Sequence, residues 1–292
     1  MQTQTQYQHQ HQHAPAVAGD YRADGGGTDY AEDPLLYQCL SPTGAQSILE
    51  ALYMSPNSSP EFRRLFLALS PPSFLAQLLP SSSGAEIVSL LLSLCTEGQC
   101  ILLLQNLRPV AREITSSSVG VEGFSRVLGA VSTQKQLSAL MTSLTPHLPS
   151  MALSEPSCHF LVTLLESCPE QHTAVLDRVL LAESGLLQKA VRCRPGQAVL
   201  CALLRARATT SPRGGAGTGV ARRLASLSLP LSNHKVGSVV LRTAITHSSE
   251  LLRVAFYRAL EGHFLRLSLS PVSSALVCHC LTTAPPLWQQ VQ

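Results

Sequence analysis

Gly237 stands inside the stretch Asn233-His234-Lys235-Val236-Gly237-Ser238-Val239-Val240-Leu241-Arg242-Thr243-Ala244-Ile245, and apolar residues follow it at the fourth, seventh and eighth positions. These offsets share one face of a helix with about 3.6 residues per turn. A small residue followed by the same pattern recurs at Gly44, Gly84, Gly123, Ser157, Gly196, Gly237 and Ser273. The spacings of 40, 39, 34, 39, 41 and 36 residues are typical of solenoid proteins. The sequence therefore predicts an α-solenoid of about seven repeats.

Composition agrees with an all-α chain. The three pattern positions are apolar in all seven copies, although apolar residues make up only 45% of the sequence. Aromatic residues contribute 5% and charged residues 13%, and few stretches alternate Val, Ile and Thr as strands do. Because each solenoid repeat buries its apolar face against its neighbours, one elongated domain can account for most of the 292 residues.

Two regions interrupt the repeat pattern. Residues 1–33 are rich in Gln, His and Gly and offer almost no apolar face, so we predict a disordered tail before a repeat domain at 34–292. The glycine-rich segment from Pro212 to Gly219 predicts a flexible insertion between helices near 209–219. No Lys-Ser or Lys-Thr follows its last glycine, so the segment is not a phosphate-binding P-loop.

Motifs for catalysis, metal binding and membrane insertion are absent from the sequence. Neither a Gly-x-Ser-x-Gly elbow nor a His-Glu-x-x-His helix occurs. The alternating His9, His11 and His13 belong to a polar low-complexity tail, and the adjacent residues of the run Cys278-His279-Cys280 point about 100° apart on a helix. No apolar run reaches the roughly 18 residues of a membrane span. We predict no catalytic site, metal, cofactor or membrane association, with free thiols in a reducing intracellular compartment.

Charge divides the chain into two halves of opposite sign. The formal net charge is only +3, but residues 185–292 hold thirteen Lys and Arg against two Glu, a net of +11. Residues 1–184 accordingly carry a net charge of −8. Eleven of the thirteen basic residues are Arg, whose planar guanidinium suits phosphate contacts and stacking on bases. A basic half on an extended scaffold indicates a polyanionic partner.

The stretch from Asn233 to Ile245 resembles the core of a Pumilio (PUF) repeat, in which a basic or polar turn, a small residue and an apolar-patterned helix follow one another. The stretch from Ser273 to Leu281 resembles the next repeat, and weaker copies begin at Ser157 and Gly196. This resemblance covers roughly residues 34–286. It implies an arc of three-helix repeats whose second helices line a concave face and bind single-stranded RNA. PUF proteins usually have eight repeats, and because only 19 residues follow Ser273, we expect the last helix and cap to be absent or degenerate.

In the PUF family, the first, second and fifth residues after the small residue contact the bases. Offsets 1 and 5 lie one helical turn apart and reach one base edge, while the side chain at offset 2 stacks between bases. Carried onto this chain, the resemblance predicts Ser238 and Arg242 as hydrogen-bonding partners of a base edge such as that of cytosine, with Val239 at the stacking position. His159 is a predicted stacking residue, whereas Glu86 would face phosphates unfavourably.

The candidate site residues form two sets. The predicted base-facing residues are Ser89, Cys158, His159, Gln197, Ser238, Val239, Arg242, Ser274 and Cys278. The predicted contacts to the RNA backbone are Arg192, Arg194, Arg222, Arg223 and Lys235. Most copies depart from the Gln, Glu or Ser that specific PUF proteins carry at offset 5, so the sequence favours contact with the RNA backbone over readout of a long motif.

Two functions remain open at this point. The first is RNA binding through the concave face, to a messenger RNA 3′ untranslated region or to pre-ribosomal RNA, in post-transcriptional regulation or rRNA processing. Cytoplasmic or nucleolar location and protein partners on the convex face would accompany it. The second is a HEAT- or armadillo-like protein scaffold without RNA binding. The RNA-binding hypothesis expects one concave surface to carry Arg192, Arg194, Arg222, Arg223, Lys235 and Arg242.

Overall fold

The computed structural model describes residues 33–167, 169–183, 185–210 and 219–284. From Pro34 onward these residues belong to one compact unit. The predicted tail at 1–33 lies outside the described residues except for Asp33, and so does the predicted insertion except for its two ends. The last eight residues, 285–292, lie outside them as well.

Helices account for the fold, and they follow one another in groups of three that we number as repeats 1 to 7; the described residues of repeat 7 contain its first two helices. Within the described residues there is no strand. The short first helices of the repeats are α1 (Pro34–Leu40), α4 (Pro72–Leu78), α7 (Ala111–Ile114), α10 (Leu148–Met151), α13 (Leu186–Ala190), α16 (Ser228–Ser232) and α19 (Phe264–Ser268). The second helices are α2 (Pro42–Met54), α5 (Ser82–Leu94), α8 (Ser118–Ala130), α11 (Glu155–Ser167), α14 (Arg194–Thr210), α17 (Lys235–Thr246) and α20 (Ser274–Thr283). The third helices are α3 (Pro60–Leu69), α6 (Glu97–Asn106), α9 (Gln134–Leu144), α12 (Pro169–Ala182), α15 (Gly219–Ser226) and α18 (Glu250–Leu260), and a 3₁₀ turn at Thr145–His147 precedes α10.

Neighbouring repeats pack through like helices. The second helices contact one another in chain order from α2 to α20, which we call the second-helix row. The third helices form another row, with contacts from α6 to α9 and from α12 through α15 to α18. The core between the rows is aliphatic, and Phe124 and Phe160 meet edge-to-face across repeats 3 and 4 with ring centroids 5.8 Å apart. The predicted α-solenoid of about seven three-helix repeats is therefore confirmed.

The small residue at the start of each second helix is required by a close approach of the backbone. At Gly44, Gly84, Gly196 and Gly237, an added Cβ would lie less than 3 Å from the carbonyl oxygen of the residue six positions earlier, at or near the end of the first helix. The tight crossing between the first and second helices leaves no room for a side chain. The recurring glycine is thus explained by the chain path within a repeat.

Serine replaces glycine in two repeats and links the repeat to its predecessor. The Ser157 hydroxyl donates to the Thr115 carbonyl at 2.6 Å, and the Ser273 hydroxyl donates to the Ser232 carbonyl at 2.9 Å. Both hydroxyls are buried, so each bond satisfies a carbonyl that water does not reach.

The third copy of the pattern begins three residues earlier than the sequence analysis placed it. The Ser117 side chain caps α8 by accepting from the Gly120 amide at 3.0 Å, as Ser41 and Ser81 do for Gly44 and Gly84. Gly120 therefore occupies the position assigned to Gly123. Gly123 instead packs against the Leu79 carbonyl of the preceding repeat, which explains why it too is small.

Polar bonds tie successive repeats together beside the apolar core. Asn106 Nδ2 donates to the Ser70 carbonyl at 3.0 Å, and the Ser143 hydroxyl donates to the Leu104 carbonyl at 2.7 Å. The Asp177 carboxylate accepts from the backbone amides of Gly219 and Val220, both at 3.1 Å, and so caps the first turn of α15. Among the helices of the described residues, none combines the length and apolar character needed to cross a membrane.

Candidate nucleic-acid interface

The second helices share a stripe of accessible residues opposite the core. Counted from the small residue of each repeat, the stripe consists of offsets 2, 5, 6 and 9, which fall on the helix face away from offsets 4, 7 and 8. In α17 these positions are Val239, Arg242, Thr243 and Thr246, all partly or fully exposed. Among the described stripe positions, only Leu49 and Ala202 are buried. We call this surface the exposed stripe.

The charge of the exposed stripe changes from negative to positive along the chain. Repeats 1 to 4 each place one glutamate on it, namely Glu50, Glu86, Glu122 and Glu166. Arg126 also lies there, but it pairs with Glu122 at 3.2 Å and so adds little free positive charge. In repeats 5 to 7, whose stripe positions are all described, Arg205 and Arg242 are present and no carboxylate occurs.

Two histidines lie at or beside the basic end of the stripe, and an arginine of the preceding repeat acts electrostatically on each of them. Arg205 of α14 acts on His247, the residue that ends α17, and Arg242 of α17 acts on His279 of α20. Burial is the main cause that lowers the pKa of His247 below its usual value, and the Arg205 charge adds to it. Burial and then the Arg242 charge likewise lower the pKa of His279. Both imidazoles therefore favour the neutral form near pH 7.

Two of the four predicted residues at offset 1 are buried. Cys158 is 3% exposed and Ser238 is 4% exposed. Each bonds to the first turn of its own helix, Cys158 Sγ to the Glu155 carbonyl at 3.1 Å and Ser238 Oγ to the Lys235 carbonyl at 3.1 Å. Gln197 and Ser274 at the same offset are partly exposed.

The predicted residues at offsets 2 and 5 lie on the exposed stripe. His159 and Cys278 are exposed, while Ser89, Val239 and Arg242 are partly exposed. In repeat 3 the revised start replaces Phe124, Ser125 and Leu128 by Val121, Glu122 and Ser125 at offsets 1, 2 and 5. Phe124 is a fully buried core residue, which agrees with its place at offset 4 of the revised repeat.

The predicted backbone contacts are divided between the rows. Arg194 and Lys235 are exposed first residues of α14 and α17, and Arg192 is exposed just before α14. Arg222 and Arg223 are exposed on α15, which packs in the third-helix row between α12 and α18. The structure therefore does not bring the six basic residues onto one surface, because the helix that carries Arg222 and Arg223 is the third of its repeat.

The sequence analysis missed most of the stripe's charged residues. Arg205 lies at offset 9, and Glu50 and His279 lie at offset 6, whereas only offsets 1, 2 and 5 were considered. Extending offsets 2 and 5 by one helical turn gives 6 and 9, so the helical period alone contained the signal.

Comparison with known proteins extends the fold assignment. No family model matches the chain, and no curated protein sequence matches it. Among solved structures, the Puf4 RNA binding domain bound to the HO endonuclease RNA 3′ UTR recognition sequence aligns with a TM-score of 0.65 at 18% identity, over 85% of this chain and 74% of that chain. The RNA-binding domain of yeast Puf5p bound to AAT2 RNA gives 0.68 at 13% identity, over 85% and 68%. PUF-8 in complex with PBE-RNA gives 0.63 at 14% identity, over 88% and 72%. The chain therefore has the fold of these PUF domains.

Proposed function

We propose that this chain, which has the fold of PUF RNA-binding domains, binds single-stranded RNA through the exposed stripe of repeats 5 to 7. The observation that best supports the proposal is the change from negative to positive charge along the stripe. The solved structures of the same fold hold RNA, two of them described as a 3′ UTR recognition sequence and a PBE-RNA. A messenger RNA 3′ untranslated region or pre-ribosomal RNA is the proposed target class, in post-transcriptional regulation or RNA processing in the cytoplasm or nucleolus.

Electrostatics supports contact at one end of the stripe. Arg205 and Arg242 attract phosphates, and Arg194 and Lys235 begin the same two helices. The glutamates of repeats 1 to 4 repel a polyanion over the Debye length of about 8 Å at physiological salt. The RNA contact should therefore be shorter than the seven-repeat stripe.

Phosphate contact, rather than base readout, is the proposed source of affinity. In repeats 5 to 7 the stacking position is held by Ala198, Val239 and Ala275, which offer little surface to a base. The fifth position is held by Cys201, Arg242 and Cys278, of which only Arg242 is a strong hydrogen-bond donor. Such a surface binds the RNA backbone and discriminates weakly between sequences.

Two double variants of the full chain test the proposal. We expect Arg205→Gln/Arg242→Gln to weaken binding of a 12-nucleotide single-stranded RNA about tenfold or more and to reduce the slope of log K against log salt by about 1.4, since each lost phosphate contact changes it by about 0.7. The matched control Arg222→Gln/Arg223→Gln changes net charge equally but lies on the third-helix row. Binding is measured by fluorescence anisotropy at two salt concentrations. An equal loss of affinity in both double variants would contradict the proposal.

A crosslinking experiment tests whether the affinity for RNA comes from backbone contacts or from base readout. RNA crosslinked to the protein in cells is recovered and sequenced after washes at two salt concentrations. We expect salt-labile recovery without one dominant motif. Enrichment of one short motif would instead assign the affinity to base readout by residues such as His159, Ser89 and Gln197.

A protein scaffold is the second candidate, and a specific feature of the third-helix row favours it. Arg222 and Arg223 of α15 are exposed, as is Arg258 of the adjacent α18, so this row also carries basic side chains. An acidic protein surface would complement them. Recovery of no RNA from wild-type protein would favour this alternative.

A further inference from the structure

Exposed apolar side chains are concentrated at the two ends of the solenoid. Among the described residues, twelve large apolar side chains are exposed, of which five belong to repeat 1 and four lie from α18 onward. The other three, Leu102, Val119 and Leu181, lie singly in repeats 2, 3 and 4. Isolated apolar residues are normal on a protein surface, whereas the outer face of a terminal solenoid repeat is usually polar. The two ends are therefore candidate interaction surfaces.

The last repeat leaves a core position open. Leu281 occupies offset 8 of α20 and is 72% exposed, whereas Leu204 and Ile245 at the same offset of α14 and α17 are 3% and 0% exposed. Leu281 therefore lacks the cover that its counterparts have. Leu265 and Leu269 lie one helical turn apart on α19 and its C-cap, and both are exposed. We call Leu265, Leu269 and Leu281 the C-end leucines.

The first repeat also leaves a packed position open. Met54 occupies offset 10 of α2 and is 85% exposed, whereas Leu94 and Ala130 at the same offset of α5 and α8 pack against the core. Tyr53 beside it and Tyr37 of α1 are exposed as well. We call Tyr37, Tyr53 and Met54 the N-end residues. Tyrosine and methionine are enriched at protein–protein interfaces, so this surface suits a protein partner.

The charges beside the two surfaces are opposite in sign. Glu50 lies one helical turn before the exposed end of α2, and Arg266 lies between two of the C-end leucines. Both side chains are exposed, and neither forms an ion pair within the described part of the chain. The basic residues of repeat 1, Arg63 and Arg64, lie on α3 and not on α1 or α2.

The two halves of the chain give the same polarity on a larger scale. The first 184 residues carry a net charge of −8 and the remaining ones +11. Contact between two like ends would bring halves of the same sign together, and such juxtaposition disfavours a complex. Contact between opposite ends brings unlike charges together. Charge therefore favours a second copy of this chain as the partner of each end.

We propose that the protein self-associates head to tail, with the C-end leucines of one copy packed on the N-end residues of the next. A dimer formed in this way still has one free surface of each kind, so association continues until a ring closes or an open chain forms. The contact places a further repeat beside each terminal repeat, as the nearest-neighbour packing of a solenoid does. The inference does not depend on the proposed RNA binding.

Sedimentation velocity of the full-length protein, freed of nucleic acid that could bridge two copies, measures the association. We expect the weight-average mass to rise above that of one chain as the protein concentration is raised over about a hundredfold range, because association follows mass action. A mass that stays at that of one chain at every concentration would overturn the inference.

Two double variants separate the two surfaces. Tyr53→Ser/Met54→Ser alters the N-end residues, and Leu265→Ser/Leu269→Ser alters the C-end leucines. All four side chains are exposed, so the fold should persist, which circular dichroism checks. We expect each variant alone to associate at least about tenfold more weakly than the wild type, since buried apolar anchors dominate an interface.

Mixing the two variants tests the direction of the contact. Each variant retains the surface that the other lacks, so an equimolar mixture should form a one-to-one complex that does not grow further. Contact between two N-terminal ends would leave the Leu265→Ser/Leu269→Ser variant as associated as the wild type. Contact between two C-terminal ends would do the same for the Tyr53→Ser/Met54→Ser variant. Either result would reject the head-to-tail arrangement.

A control variant and the single tryptophan complete the test. Leu102→Ser/Val119→Ser removes two exposed apolar side chains from repeats 2 and 3 and should associate like the wild type; an equal loss here would reject the assignment to the ends. Trp288, the only tryptophan of the sequence, lies beyond the described residues. Blue-shifted Trp288 fluorescence in a protein that stays monomeric would assign the cover of the C-end leucines to residues 285–292 of the same chain and reject a second copy.

Discussion

At the scale of single residues, the last described helix holds two cysteines in opposite environments. Cys280 is 1% exposed, and burial raises its pKa to about 12, whereas Cys278 two residues earlier is exposed on the stripe. Since the thiolate is the reactive form, the two thiols should differ widely in reactivity. The same helix thus offers an internal comparison of stripe and core.

We expect iodoacetamide at pH 8 to alkylate Cys278 in the native protein and Cys280 only after unfolding. Peptide mass spectrometry over a time course measures both sites in one sample, and Cys95, whose pKa burial also raises to about 12, serves as a second protected thiol. Oligouridylate should slow alkylation of Cys278. Equal rates at Cys278 and Cys280 in the folded protein would contradict the assigned positions.

The buried hydroxyl of Ser157 carries a second prediction at this scale. Ser157→Ala removes the bond to Thr115 and leaves a buried carbonyl unsatisfied, so we expect the free energy of unfolding to fall by about 1–3 kcal/mol. Ser167→Ala is the matched control, because the Ser167 hydroxyl is exposed and bonds to Thr163 of its own helix. Urea denaturation of both variants measures the difference, and equal stability would show that the bond between repeats contributes nothing.

At the scale of helices, the start of each second helix is the most constrained point. Gly196→Ala would push a methyl group against the Ala190 backbone, and such overpacking typically costs about 1–3 kcal/mol. Gly98→Ala in α6 meets no atom within 4 Å and should stabilise that helix by up to about 1 kcal/mol. Thermal unfolding of both variants tests the pair. A Gly196 variant as stable as wild type would contradict the close approach described for the helix crossing.

The second helices also show where sequence reasoning succeeds and where it stops. The recurrence of a small residue with apolar offsets 4, 7 and 8 was enough to predict a helical solenoid. In repeat 3 the start was wrong because an amphipathic pattern looks similar after a shift of three residues, and Gly120 and Gly123 are both small. The Ser117 cap distinguishes the two starts, since the side chain that begins a helix has no equivalent one turn later.

The candidate site was less predictable than the fold. Helical geometry alone gives the exposed stripe and therefore the glutamates of repeats 1 to 4. The electrostatic effect of Arg205 on His247 depends on the relative shift of α14 and α17, which arises from packing between repeats. Arg222 and Arg223 do not share a surface with the other predicted basic residues, because charge counts do not indicate which helix of a repeat carries a residue.

At the scale of the whole molecule, the stripe is an electrostatic gradient along its length. Glu86→Gln/Glu166→Gln removes two repulsive charges from the acidic end, and we expect affinity for a long single-stranded RNA to rise about twofold to fivefold at low salt. Glu61→Gln/Glu113→Gln changes net charge equally on α3 and α7, away from the stripe, and should have a smaller effect. A gain of equal size in both variants, measured by anisotropy, would show that only net charge matters.

The helix crossing that requires glycine has a consequence for how such proteins diversify. The residues that maintain the repeat face inward and toward the preceding helix, whereas the stripe contributes almost nothing to that crossing. Substitutions at the exposed positions of the stripe can therefore accumulate, neutrally or under selection, without loss of the scaffold. Architecture can persist at 13–18% identity to the compared domains while the binding preference of each repeat is rewritten independently.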